Sequence, residues 1–164
     1  MAVEFWTMGA GQPGGPDSKT FNGVRQAVRA EEIGYDGIVY VDSQNGVGDC
    51  YIALALAAHA TSTIKLGTGV TNSFTRHPAV TASAIATVQA ESGGRAYLGI
   101  GRGDSALAHL GRAPHPVAAF EDYLVRLQGY LRGEEVPFEA GGDIDSLGLA
   151  DYTGTSRIFW MGTV

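Results

Sequence analysis

Three short groups in this sequence combine residue types and spacing that could do chemistry: Asp42-Ser43-Gln44, Thr71-Asn72 and Gly101-Arg102-Gly103-Asp104-Ser105. Each follows directly on an apolar run that reads as a buried strand. A carboxylate placed there is partly shielded from water. Asp42 could therefore bind a ligand hydroxyl or shuttle a proton. It could equally cap its own loop through Ser43 and Gln44. In "GRGDSA" two glycines flank Arg102. Exposed backbone N–H groups beside an arginine would suit an anionic group such as a phosphate. The competing reading is a Gly-rich turn whose Asp104 and Ser105 cap a short helix, Ala106–Leu110, with Arg102 in solvent. The bare pattern favours this second reading. No Gly-Lys-Ser/Thr follows, so the stretch is not a P-loop.

The remaining reactive side chains carry less. His77, between Arg76 and Pro78, could act as an acid–base group. Its place at a helix start favours a positional role, bonded to the neighbouring loop. His59, His109 and His115 are scattered, and no pair has metal-ligand spacing on a helix, so a metal site is not expected. Cys50 is the only cysteine, which excludes an intrachain disulfide. It falls in an apolar helical pattern and reads as a core thiol. Glu121 and Asp122 belong to the solvated face of a helix.

The elements that must position these residues alternate. Val3–Met8 has strand character, and Gly9–Asp17 is a Gly/Pro-rich loop. Ser18 is the expected cap of a helix over Lys19–Ile33, closed by Gly34. Gly37–Val41 ("GIVYV") is a second strand, and Asp49 caps a helix that runs to about His59. Ile64–Val70 is a third strand. Pro78 suits the first turn of a helix that runs to Glu91 and stops at Gly93-Gly94. Ala96–Ile100 is a fourth strand, and Pro116 opens a helix to Leu131. This βαβαβαβα order with continuous apolar strands implies an α/β fold, a parallel sheet covered by helices. An open doubly wound sheet and a TIM-type (β/α)8 barrel compete. "GAGQPGG" lacks the spacing and the immediate helix of a dinucleotide fingerprint, which favours the barrel. Only four units are visible, whereas a closed barrel takes about 250 residues. The expected division is 1–132 as the first half of a barrel and 133–164 as an irregular insertion. A strand or hairpin is expected around Arg157–Met161, and Ile158–Met161 is also a candidate fifth strand. One oddity stands out. Gly67 and Gly69 strip side chains from the third strand, so either packed elements approach closely there or a flat ligand lies on the backbone.

Composition narrows the function classes. In 164 residues there are 17 acids against 11 bases, a net charge of −6, and no Lys/Arg cluster, which argues against nucleic acid as a partner. The 24 glycines point to tight turns and close backbone approaches. The longest apolar stretch, Tyr51–Ala60, is too short to cross a bilayer. No basic segment followed by an apolar run opens the chain, so a cytoplasmic protein without a membrane partner is expected.

Taken together, "DSQN", "GTGVTN", "TRHPAVTA" and "SGGRAYLGIGRGDSA" resemble the bacterial-luciferase-like superfamily. Within it they are most similar to the branch that uses the deazaflavin coenzyme F420, typified by methylenetetrahydromethanopterin reductases. The likeness covers roughly residues 1–135. It implies a (β/α)8 barrel, commonly homodimeric, with a bulge and a non-prolyl cis peptide in the third strand near Gly69-Val70, backing the cofactor ring. By the same resemblance Thr71 and Asn72 lie beside that ring. Gly101, Arg102, Gly103, Asp104 and Ser105 cradle its phosphate or ribityl chain. Asp42 and Ser43 face the hydride-transfer centre as catalytic residues. The implied reaction is hydride transfer between the reduced deazaflavin and a small or pterin-like substrate. The family also holds FMN-dependent monooxygenases, so FMN is the alternative cofactor. Its barrels are about twice this length. A third reading is therefore a non-catalytic half barrel, or a split-enzyme subunit, completed by a second copy or a complementary chain.

Overall fold

A computed structural model describes residues 3–10, 22–137 and 155–156. Four strands, β1 (Trp6–Gly9), β2 (Gly37–Tyr40), β3 (Lys65–Asn72) and β4 (Ala96–Gly101), form one parallel sheet in the order β1-β2-β3-β4. A doubly wound sheet reverses its strand order at a switch point. No reversal occurs across these four strands, and the progression is that of a barrel wall. The strands are joined by α1 (Gly23–Glu32), α2 (Cys50–Ala60) and α3 (Pro78–Glu91), and β4 is followed by α4 (Asp104–Ala108) and α5 (Val117–Leu131). α1 packs on α2, α2 on α3 and α3 on α5, so successive helices are neighbours over the sheet.

The core lies between the sheet and the helices, around Ile38, Tyr40, Leu54, Ala57, Ile64 and Leu66. Alanines face the sheet from α1 and α2, Ala27, Ala30, Ala53 and Ala57, and small side chains let helix and sheet approach closely. The opposite face of the sheet curves. The Trp6 and Tyr97 rings, from the two outer strands, meet edge-on with centroids 5.2 Å apart. Trp6 reaches Tyr97 across Gly37, where an added Cβ would stand 2.3 Å from the Trp6 ring.

Local chemistry sets the element ends. Asp49 caps α2, its carboxylate accepting from the N–H of Tyr51 and Ile52 at 2.9 and 3.1 Å. His77 caps α3 through Nδ1, which accepts from Ala79 N–H at 3.1 Å, with Pro78 in the first turn. Arg95 ties three elements together. Its guanidinium donates to the carbonyls of Ala58, Thr61 and Ile64 and to the Thr61 hydroxyl at 2.7–3.0 Å, closing α2 and bracing the start of β3.

Two expectations shift. α1 starts at Gly23 with Asn22 as its cap, the Asn22 carbonyl accepting from Gln26 N–H at 3.1 Å, and the expected cap Ser18 lies outside the described residues. Residues 11–21 lie outside the described set. α4 starts at Asp104 and not Ala106, because Gly103, at φ +88°, turns the chain and accepts from Leu107 N–H at 2.9 Å. Asp104 and Ser105 are thus the first helical residues rather than caps. Beyond α5, β5 (Val136–Pro137) pairs antiparallel with β6 (Thr155–Ser156). The expected strand at Arg157–Met161, including Ile158–Met161, lies outside the described residues. No helix among the described residues is long and apolar enough to cross a membrane.

Candidate functional site

The C-terminal ends of β2, β3 and β4 open on one cleft of about 300 Å³. It is lined by Asp42, Ser43, Gly69, Val70, Thr71, Asn72 and the run Gly101–Ser105, together with Val41 and Ala106. The three groups read from the sequence therefore converge on one place. Parallel α/β sheets carry their ligands at this end of the strands.

Asp42 sits at the wall of the cleft, only 4% exposed. Its carboxylate accepts from the Thr71 hydroxyl at 2.6 Å and from the Gln44 side-chain amide at 2.7 Å. A carboxylate has about four acceptor positions, so this bonding leaves capacity for a ligand proton. Gln44 thus serves Asp42 rather than the reverse, and Ser43 anchors the following turn, its carbonyl accepting from Gly46 and Val47 N–H. Asn72 is 1% exposed. Its Oδ1 accepts from Phe74 and Thr75 N–H and from the Thr75 hydroxyl at 2.9–3.1 Å. Its Nδ2 is buried with no hydrogen-bond partner among the described residues. A buried donor left unpaired costs about 1–3 kcal/mol, and this one belongs to a residue that lines the cleft.

The β3 wall is bulged. β3 runs in register with β4 to Thr68↔Leu98 and resumes at Thr71↔Ile100, and the peptide bond between Gly69 and Val70 is cis. The glycines of β3 have a specific cause. A Cβ on Gly69 would stand 2.4 Å from Val39 Cγ2, and one on Gly67 3.1 Å from the Tyr97 carbonyl oxygen and 3.3 Å from Val39 Cγ1. Close approach of both neighbouring strands explains them, Val39 of β2 at Gly69 and Tyr97 of β4 with Val39 at Gly67, and the residue that faces the cleft is Val70, 54% exposed. On the far wall Gly103 has no room for a side chain, since its Cβ would meet Leu107 and Asn72 at 2.9 and 3.0 Å. Arg102 is half-exposed and lies 3.9 Å from Asp104. Among the described residues no three His, Cys, Asp or Glu gather as metal ligands.

Residues 1–151 match the family model described as luciferase-like monooxygenase. The chain belongs to this family. It is 43% identical over 168 residues to the 5,10-methylenetetrahydromethanopterin reductase of Methanopyrus kandleri, covering 90% of this chain and 47% of that protein. It is 39% identical over 123 residues to the reductase of the same name from Methanolobus tindarius, covering 74% of this chain and 37% of that protein. The solved structure of the coenzyme F420-dependent tetrahydromethanopterin reductase of M. kandleri superposes with a TM-score of 0.67 at 31% identity, over 85% of this chain and 43% of that one. The chain thus spans half or less of the length of these relatives.

Several residues that shape this luciferase-like cleft carried no sequence signal. His115 braces it from behind. Its N–H donates to the Arg102 carbonyl at 3.0 Å, and its Nδ1 meets the Ser73 hydroxyl at 2.9 Å. Thr68 and Gly99 hold the bulge. All three act through contacts 31 to 42 residues distant, or through a loop, which local patterns do not report. Cys50 is buried, and burial together with the Asp42 and Asp49 carboxylates pushes its thiol well above the ordinary range. It is a core thiol.

Proposed function

We propose that this chain forms the cofactor-binding part of an F420-dependent oxidoreductase, acting on a small or pterin-like substrate. The observation that carries this reading is the cleft itself: a buried carboxylate, an unpaired amide donor and an exposed valine on a bulged strand. The cleft's volume falls at the lower end of ligand pockets, and its walls are poor in side chains at Gly69, Gly101 and Gly103. These features fit a flat, polar-edged ring. When bound, the deazaflavin supplies the hydride chemistry. The chain's own residues then position and shield. Val70 offers the apolar wall. Asn72 Nδ2 offers a hydrogen bond to an acceptor on the ligand. Thr71 and Gln44 hold Asp42, which stands ready to take or give a proton at the reacting edge. The run Gly101–Ser105 offers Arg102 and backbone N–H groups to an anionic substituent. The similarity to F420-dependent reductases supports the deazaflavin over FMN.

Residues 1–132 correspond in this reading to the first half of a (β/α)8 barrel, and 133–164 to an insertion after it. The concave face of the sheet exposes Met8, Val70 and Tyr97. Closure over that face takes further strands, from the same polypeptide, a second copy or a complementary chain. Fluorescence titration with F420, and in parallel with FMN, tests the assignment. Saturable binding of F420 in preference to FMN is expected. Preference for FMN would move the chain to the flavin monooxygenases, and binding of neither would remove the cofactor role from this chain.

A further inference from the structure

The bulge in β3 leaves a gap in the sheet, and one side chain fills it. Between the paired positions Thr68↔Leu98 and Thr71↔Ile100, β3 advances three residues while β4 advances two. Gly99 is the β4 residue opposite the gap. In a regular parallel ladder its N–H and C=O would bond to the neighbouring backbone. Here both go to the same hydroxyl. Thr68 Oγ1 donates to the Gly99 carbonyl at 2.7 Å and accepts from Gly99 N–H at 3.0 Å. Thr68 is 2% exposed, so water does not compete for these bonds. A side-chain oxygen has taken the place of a backbone rung.

The consequence falls on Val70. A Cβ on Gly99 would stand 2.5 Å from the Thr68 carbonyl oxygen and 3.2 Å from Val70 Cγ1. A Cβ on Gly101 would stand 3.3 Å from Val70 Cγ2. Val70 therefore rests both methyl groups on the bare backbone of β4, and its remaining surface faces the cleft.

We propose that Thr68 is a positioning residue for the candidate site: its hydroxyl, bonded to both backbone groups of Gly99, sets the place of Val70 as the wall against which a planar ligand lies. This deepens the reading above and rests on it for the identity of the ligand. Thr68 touches no ligand itself. It acts through Gly99 and Val70.

The test compares Thr68→Val, which removes the hydroxyl at nearly constant volume, with Thr68→Ser, which keeps it. Leu54→Ala, in the core between helices and sheet, is the control for lost stability. Two readouts are taken on the full chain: F420 affinity with the absorption band of the bound deazaflavin, and the Val70 methyl and Gly99 amide resonances of the free chain. Thr68→Val is expected to weaken F420 at least tenfold, to shift the bound band, and to move both resonances. Thr68→Ser should stay within about threefold, and Leu54→Ala should melt lower with affinity and resonances kept. A folded Thr68→Val with unchanged Val70 and Gly99 resonances overturns the proposal, as does Thr68→Ser behaving like Thr68→Val. If the wild-type chain does not bind F420, the functional reading fails, while the resonances of the free chain still decide the role of Thr68. If Thr68→Val does not fold, exchange of the Gly99 amide decides. Wild type and Thr68→Ser should both protect it, and free exchange in either overturns the proposal.

Discussion

Asp42 accepts two hydrogen bonds that an amide could not both receive. Asp42→Asn would turn an NH₂ group toward either the Thr71 hydroxyl or the Gln44 amide. The hydroxyl can rotate to accept, but the Gln44 NH₂ cannot. With the amide nitrogen toward Thr71 and the oxygen toward Gln44 both bonds survive, so chemical denaturation should show a loss of no more than about 1 kcal/mol. In an assembly competent for turnover, the hydride-transfer rate should fall by about 10²-fold or more, the usual share of a positioned acid–base group. F420 affinity should change far less, because Val70 and Asn72 are untouched. Cys50 makes the opposite case. Its thiol is 1% exposed, and burial with two carboxylates nearby disfavours the thiolate. Iodoacetamide should label the native chain very slowly and the urea-unfolded chain at the rate of an ordinary cysteine. Rapid labelling of the native chain would show the α2 end to be open.

At the scale of elements, the α2–β3 connection is held by one carboxylate. Glu31, at the end of α1, accepts from the N–H of Ser62, Thr63 and Ile64 and from the Thr63 hydroxyl. Partial burial pushes its carboxyl up, but these donors outweigh burial and hold it at about 2, against an ordinary 4.5. A carboxyl depressed on folding stabilises the native state above its unfolded value. That stabilisation is complete above about 4.5 and is lost as the pH falls from there toward 2. Glu31→Gln should cost roughly 1–2 kcal/mol at neutral pH, allowing for solvent screening of a half-buried group. The variant's stability should also fall less steeply than wild type below pH 4.5, as urea midpoints across that window would show. Arg95 is the second tie. Arg95→Ala would orphan the last carbonyls of α2 and loosen the start of β3, with an expected loss of about 3 kcal/mol or more as several charge-assisted bonds go together. Calorimetric melting reads this directly.

For the whole molecule, the concave face of the sheet carries exposed apolar side chains. Met8 is 66% exposed on the same face as Val70 and Tyr97. Apolar patches of this kind mark interaction surfaces. Among the described residues β4 in addition offers an edge whose outer backbone groups bond to no further strand of the sheet. The chain alone should therefore sediment as an associated species, and Met8→Asp should shift it toward monomer. A well-behaved monomer for the wild type would argue that this face is covered from within the chain.

The elements were largely legible from local pattern. Asp49 and Pro78 announce their helices because capping and the missing proline N–H act within a turn. The apolar runs "GIVYV" and "AYLGI" announce buried parallel strands. Even the convergence of Asp42, Thr71, Asn72 and the Gly101–Ser105 run follows once strands alternate with helices, because every strand of such a sheet ends on the same side. Several things were not legible. The start of α4 depends on Gly103 taking a positive φ that Leu107 then locks. The meaning of Gly67 and Gly69 depends on Val39 and on the Tyr97 backbone, from the two neighbouring strands. The roles of Thr68, Gly99 and His115 exist only in register, across separations that periodicity does not see. The sequence by itself determined the order and type of the elements and the end of the sheet where chemistry gathers, because those follow from short-range propensity and burial. Only the tertiary structure decided that the strands run in sequential order, that Val39 and the Tyr97 backbone crowd the glycines, and that Val70 faces the cleft, because those are set by which strands lie side by side and at what offset.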